Sequence, residues 1–368
     1  MLSFENNAKL TIIIVLSVLP DILLSWDLSV LKISYTYYAS SVAVYKNRAF
    51  VAIPRSSCYN NISNPTLVEV PWASDDSKHG LFRKKMYPPY KEQRWGSCRD
   101  HQDVISLDVD GGRAKLWALD RGSRRCSPKI VIYNLHYNTI ASSSKLIDID
   151  GEKLSNLVID PDESNSGKKA YVGGIENYIL VFYARGTKLW KIKILNALDV
   201  HIHIPTNFLA ISAKAPVLYL TGPDDLKLYS MNLTMLKDGE ETNLKRKDVF
   251  LQLITTTIGE KLGPSSGLTL DSNDGLYYYM TRDYAVVRWN TSMPLVAEYH
   301  DVVMQTYETL PFVSQFFYGP KNSIWALVNP AGPETCQQSN GNIPSWMYGD
   351  LPKMKSRIVR ILEKDNVM

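Results

Sequence analysis

Leu116-Trp117-Ala118-Leu119-Asp120 decides the fold, because its likeness returns five times along the 368-residue chain. The copies are Ala49-Phe50-Val51-Ala52, Ala170-Tyr171-Val172-Gly173, Leu218-Tyr219-Leu220-Thr221, Leu276-Tyr277-Tyr278-Tyr279 and Ile324-Trp325-Ala326-Leu327. An aromatic stands second in each copy, and subtracting residue numbers spaces the aromatics 67, 54, 48, 58 and 48 residues apart. Propeller blades repeat at roughly 40–50 residues, and loop insertions lengthen the period.

The neighbourhood of each copy repeats as well. A short apolar stretch precedes it, as at Val104 to Leu107 and Leu268 to Leu270, and another follows, as at Ile130 to Tyr133 and Ala285 to Trp289. Asp, Asn and Gly fill the connections, as in Asp271-Ser272-Asn273-Asp274-Gly275, which is hairpin chemistry. Amphipathic helices between strands, which a doubly wound α/β fold requires, are absent from the pattern. The reading is an all-β, six-bladed β-propeller of antiparallel blades forming a single domain over residues 26–368. A closed ring also removes the open sheet edges that a linear array would expose.

Residues 1–25 read as a signal peptide. Lys9 supplies a basic start, Leu10 to Leu19 is an aliphatic run, and the cut is expected near Trp26. The run is shorter than the roughly 20 residues of a membrane span. The expected product is a secreted, extracellular glycoprotein. Its net charge of +4 is small and dispersed, which excludes a nucleic-acid partner, and no membrane partner is expected. An oxidising compartment favours disulfides among the four cysteines. Cys98 and Cys126 flank one strand unit and form the natural local pair, which leaves Cys58 near the first repeat to join Cys336 near the last. Sequons at Asn61, Asn232 and Asn290 predict glycosylation.

In a propeller the inner strand of each blade lines the central channel, and ligands bind at its mouth. The inner strands here open on small polar pairs: Ser40-Ser41, Gln102-Asp103, Ser155-Asn156, Thr206-Asn207, Ser265-Ser266 and Ser314-Gln315. They predict a polar, mostly uncharged mouth with Asp103 as its one fixed charge; the alternative is that they satisfy loop backbone and water. Other motifs fail their structural context. Gly263-Pro264-Ser265-Ser266-Gly267 has the pattern of a nucleophile elbow but precedes a strand, not a helix. His201 and His203 lack a third metal ligand. Asp160, Asp162 and Glu163 read as a solvated turn. No cofactor and no metal are expected.

Several stretches resemble the insect yellow and major royal jelly protein family. Arg48-Ala49-Phe50-Val51-Ala52-Ile53-Pro54-Arg55 is similar to that family's R-x-F-V-x-x-P-R opening. Gly96-Ser97-Cys98, Leu116 to Gly122, Cys126-Ser127-Pro128-Lys129-Ile130 and Ile324 to Asn329 follow in the family's order. The resemblance implies a secreted six-bladed propeller whose roles range over pigmentation with dopachrome conversion, eggshell hardening, nutritive storage and capture of biogenic amines. In the amine-binding members a polar residue on the last inner strand and the Asn of an S-N pair hold the ligand; Ser314 and Asn329 are similarly positioned. Pro330-Ala331 stand where those binders carry an aromatic.

Three functions are carried forward. The first is a binding or matrix protein taking a small amine or catechol at the channel mouth through Asp103, Asn156, Asn207, Ser265, Ser266, Ser314 and Asn329, with cuticle or eggshell components as possible partners. The second is a dopachrome-converting enzyme with Asp103 as base. The third is a lactonase-like propeller holding Ca²⁺ through Asp103, Asn156 and Asn207. The first leads, because no activated acid, base or nucleophile is visible in the sequence.

Overall fold

The computed structural model describes residues 23–361 except 27, 32, 34–36, 58–59, 73–87, 89, 164–166, 186, 200, 224, 238–251 and 334–355. Among the described residues the chain is almost entirely β, with antiparallel sheets and one single-turn α-helix, Thr234–Lys237. Among the described residues no helix is long and apolar enough to cross a membrane.

Six strand units follow one another. The first holds β2 (Ser41–Tyr45), β3 (Arg48–Ala52) and β4 (Leu67–Pro71). The second holds β5 (Val104–Asp110), β6 (Lys115–Asp120), β7 (Lys129–Asn134) and β8 (Thr139–Lys145). In the third are β9 (Leu154–Ile159), β10 (Lys169–Gly174), β11 (Tyr178–Tyr183) and β12 (Lys188–Asn196), and in the fourth β13 (Phe208–Ile211), β14 (Val217–Thr221), β15 (Lys227–Asn232) and β16 (Gln252–Glu260). The fifth comprises β17 (Ser265–Leu270), β18 (Gly275–Met280), β19 (Ala285–Asn290) and β20 (His300–Gln305). The sixth joins β21 (Phe312–Tyr318), β22 (Ile324–Asn329) and β23 (Arg357–Arg360) to β1 (Leu23–Ser25), which pairs antiparallel with β23. β1 thus consists of the last three residues of the segment read as a leader; the rest of that segment, residues 1–22, lies outside the described residues.

Each repeated aromatic sits on the second strand of its unit and is buried: Phe50, Trp117, Tyr171, Tyr219, Tyr277 and Trp325. Both faces of these strands are covered, so their sequences are continuous apolar runs instead of alternating ones. The apolar side chains collect into six clusters, each between two successive units. Phe50, Val104 and Leu116 pack units one and two together, Trp117 and Phe182 units two and three, and Tyr171 and Leu218 units three and four. Leu228 and Tyr278 join units four and five, and Tyr277 and Phe316 units five and six. The sixth cluster closes the cycle, setting Val42, Val51 and Trp72 of unit one against Phe317 and Trp325 of unit six. β2 contacts β5, and the contacts continue through β9, β13, β17 and β21 back to β2.

The outermost strands were invisible to the strand reading, which found three strands per unit. β8 is mostly exposed and reads Thr-Ile-Ala-Ser-Ser-Ser-Lys, so it lacks an apolar face to announce it. β12 and β16 additionally pair with each other in parallel, fusing the third and fourth units into one eight-stranded sheet.

Cys98 and Cys126 form a disulfide, as the spacing predicted. The bond ties the loop ahead of β5 to the loop ahead of β7. The proposed partners Cys58 and Cys336 lie outside the described residues. Around the bond, Asp120 accepts from the backbone amides of Gln102, Asp103 and Gly122 at 2.8–2.9 Å. Burial alone would raise the Asp120 carboxyl, but His101, Lys129 and these amides outweigh it and hold Asp120 well below the usual carboxylate range. Arg55 donates to the carbonyls of Asn64, His101 and Gln102, fastening the first unit to the same loop.

The disulfide closes a loop of sequence separation 28, for which chain entropy gives about 3–4 kcal/mol. Replacing Cys98 and Cys126 together by Ala is expected to lower the denaturant midpoint by a corresponding amount, without changing the far-ultraviolet spectrum at low denaturant. An unchanged midpoint would mean that the Asp120 and Arg55 bonds hold the loop alone.

Candidate functional site

The first strand of every unit is a sheet edge, so its outward amides and carbonyls have no ladder partner. Side chains from neighbouring units supply the missing bonds. Ser41 Oγ accepts from Leu107 N at 2.9 Å and donates back to Leu107 O. Ser106 Oγ accepts from Leu157 N, and Asp108 Oδ2 accepts from Ile159 N at 2.7 Å. At the next two junctions the crossing bonds lie off the first-strand edges: Thr206 Oγ1 accepts from Gly174 N at the end of β10, and Ser212 Oγ donates to the Asp274 side chain. Ser266 Oγ donates to Val313 O at 2.6 Å, Ser314 Oγ to Ala39 O, and Gln315 Oε1 accepts from Val42 N at 2.6 Å. One staple or more thus crosses each junction of the cycle.

One end of this ring of edges encloses a cavity of about 590 Å³. Four of the inner strands carry a β-bulge there, at Ile105, Ser155, Gly267 and Ser314, and all four bulged residues line the cavity. Bulges of this kind re-aim side chains at a rim. Gly267 holds φ +62°, and a Cβ there would press on Phe316.

The predicted site residues divide by position. Asn156, Asn207, Ser266 and Ser314 line the cavity. Asp103, Ser265 and Asn329 do not. Asp103 is buried behind the rim, where its Oδ1 accepts from Ser56 N. Burial pushes its carboxyl up, opposed by the Ser56 hydrogen bonds and the nearby Arg121 charge. Ser265 is buried against Lys261, whose ammonium donates to Ser265 and Thr221 at 2.6–2.7 Å; burial pulls that amine down to about 8. Asn329 is fully buried and makes four hydrogen bonds, to both backbone groups of Ala39 and to the hydroxyls of Ser314 and Ser356.

The residues with polar capacity left over are a different set. Asn207 has no hydrogen bond among the described residues, and the amide nitrogens of Asn156 and Gln315 have none either. Arg121 lines the cavity as its sole charged side chain among the described residues. Gln315 belongs to the polar pairs expected at the mouth, whereas no signal in the sequence marks Arg121 or the apolar part of the wall, Tyr38, Phe208 and Phe312. Among the described residues no group of three or more His, Cys, Asp or Glu is arranged to hold a metal ion.

A second cavity of about 420 Å³ opens at the opposite end, shares Asn156, Leu268 and Gln315 with the first, and is lined by Asp108, Asp110, Asp160 and Asp271 with Lys168. Asp160 is paired with Lys169 and Asp271 with Arg288. Burial pushes the Asp108 carboxyl up to about 6, against the pull of its bonds from Ile159 N and Val109 N.

The family model described as Major royal jelly protein matches residues 205–336, from the start of the fourth unit to just beyond β22, so the resemblance is borne out over that segment. No curated protein matches the chain. Among solved structures, U3-55K is 11% identical with TM-score 0.47, covering 88% of this chain and 81% of its own. The WD40 repeats of RRP9 are 10% identical with TM-score 0.47, covering 89% and 80%. A catalytically inactive virginiamycin B lyase from Staphylococcus aureus with quinupristin is 10% identical with TM-score 0.45, covering 80% and 78%.

Two mutational outcomes follow from the division of roles. Asn329→Ala leaves buried partners unpaired and is expected to cost about 2–4 kcal/mol, whereas Asn207→Ala should stay within about 0.5 kcal/mol; chemical denaturation of both variants decides. For Asp108 the folded pKa is about 6 against an ordinary 3.8. The folded state therefore holds its proton longer, and stability is lost as pH rises through this window. Between pH 4 and pH 8, Asp108→Asn should gain about 2 kcal/mol relative to the parent, allowing for partial solvent screening. A pH-independent difference would show that Asp108 ionises freely.

Proposed function

We propose that this chain, whose residues 205–336 carry the major royal jelly protein match, is a secreted six-bladed β-propeller that binds a small catechol-type aromatic at one mouth of its channel. Support for the ring comes from the six apolar clusters and the cycle of inner-strand contacts, the last of each returning to the first unit. Support for secretion comes from the disulfide and from the exposure of Asn61, Asn232 and Asn290, all three open to glycosylation. A leader cut ahead of Leu23, upstream of the cut first expected near Trp26, leaves β1 in place on β23. A role in cuticle, eggshell or pigment rests on the family match and not on the geometry.

The observation that carries the ligand reading is the composition of the 590 Å³ cavity. Tyr38, Phe208 and Phe312 offer ring faces, while Asn156, Asn207 and Gln315 offer free amide groups, the combination expected of a site for a small polar aromatic. The catechol half of the original expectation is favoured over the amine half, because no carboxylate lines the cavity among the described residues. Asp103, the base that the enzymatic reading requires, is held behind the rim by Ser56.

Isothermal titration with 4-methylcatechol is expected to give saturable, one-to-one binding. Asn207→Ala should weaken it roughly 3- to 10-fold, the worth of a hydrogen bond or so. Absence of heat in folded protein overturns the binding reading, and binding untouched by substitutions at Asn156 and Asn207 moves the site elsewhere.

A further inference from the structure

The mouth of the channel has a charge preference that the sequence did not disclose. A polar rim with Asp103 as its fixed charge would attract cations. The cavity wall instead presents the Arg121 guanidinium, and Asp103 is withdrawn from it. Arg121 lies directly after β6, where Arg121 N bonds to Asp103 O, so the chain direction is fixed on both sides of the side chain.

The guanidinium is incompletely used. One nitrogen donates to Leu154 O at 3.0 Å and another makes a long 3.4 Å contact with Ser56 Oγ. Its Nε and the hydroxyl of Ser57 are buried without a hydrogen-bond partner, so the donors it can offer to the cavity are the remaining hydrogens of its two terminal nitrogens. Among the described residues no carboxylate forms an ion pair with Arg121. Asp103, whose carboxyl feels the Arg121 charge, is buried, and burial favours its neutral form. A guanidinium with spare donors in a concave, partly apolar wall is a receptor for a carboxylate, since its planar fork matches that geometry.

The rest of the channel reinforces this choice. Among the described residues that line the two cavities, carboxylates stand only at the far opening, where Asp108 and Asp110 face the second cavity and Asp110 Oδ2, without a hydrogen bond, has Arg113 Nε at 4.0 Å. An anion entering at the Arg121 end meets its counter-charge at once and is repelled from passing on.

We infer that the mouth cavity selects aromatic ligands bearing an anionic group, with the ring between Tyr38, Phe208 and Phe312 and the anion on Arg121. This rests on the reading of the cavity as a catechol-type binding site and specifies the charge of its ligand.

A matched series sharing one ring tests it: 3,4-dihydroxyphenylacetate as anion, 4-methylcatechol as neutral member and dopamine as cation, titrated calorimetrically into the intact protein. The expected order of affinity is anion, neutral, cation, with the anion ahead of the neutral compound by 10-fold or more at low salt and by less at 0.5 M NaCl. Arg121→Gln should abolish that advantage while leaving the neutral member within about 2-fold. Arg121→Lys, which keeps the charge, serves as second variant and should retain part of the advantage. Equal affinity of anion and neutral compound, tighter binding of dopamine, or an equal loss of all three in Arg121→Gln overturns the charge preference and leaves catechol binding standing. Absence of binding by every member overturns both.

Discussion

The structure depends on a constraint at the sheet edges. Six first strands turn unpaired backbone toward a common channel, and an unmet buried amide or carbonyl costs on the order of 1–3 kcal/mol. Their neighbours lie too far to continue a ladder but near enough for a side chain to cross. Ser41, Ser106, Asp108, Ser266, Ser314 and Gln315 make that crossing. Short hydroxyl and carboxyl groups suit the task because they donate or accept without filling the channel. The polarity of the mouth is therefore first a requirement of the architecture, and any ligand meets what remains after the staples are made.

This explains how much could be read from the sequence. The second strands were plain because burial on both faces leaves an unbroken apolar run around each aromatic, from Phe50 to Trp325. Polar residues at the starts of the inner strands were plain as a position, yet their role was not, since a staple and a ligand contact demand the same small side chains. β8 went unseen because an exposed outer strand needs only backbone pairing and carries no apolar face, and β16 because its buried side alternates Leu253 with the polar Thr255. Arg121 was hidden for another reason. Its sequence neighbour Asp120 points inward to gather three amides, and only the turn that follows sends the guanidinium to the cavity.

The residues that carried the family resemblance are occupied with the fold. Arg55 ties the first unit to the loop ahead of β5, Asp120 and Lys129 sit in the same buried network, and Cys98 and Cys126 lock it. Asn329 clamps Ala39 and Ser356 across the junction of the sixth unit with the first. Such motifs identify an architecture, and architecture does not carry activity with it. Ligand preference has to be sought in the side chains that line the cavity and keep groups beyond these duties, which are Arg121, Asn156, Asn207 and the aromatic wall.

Those residues give the channel a direction. Arg121 stands at one opening, and the carboxylates of Asp108 and Asp110 stand at the other, with Asn156, Leu268 and Gln315 common to both cavities. Fixed charges in a confined passage act over its length, because the surrounding protein screens them less than water does. Each end is also built into the ring. Asp108 is itself a staple, bonded to Ile159 N, so an acceptor oxygen at this position serves the junction between the second and third units whatever its charge. Arg121 also reaches across, from the end of β6 to Leu154 O at the start of β9, but its terminal nitrogens keep hydrogens that these contacts do not use. Both ends are thus tied into the junction of the second and third units, the acidic end through Asp108 and the basic end through Arg121.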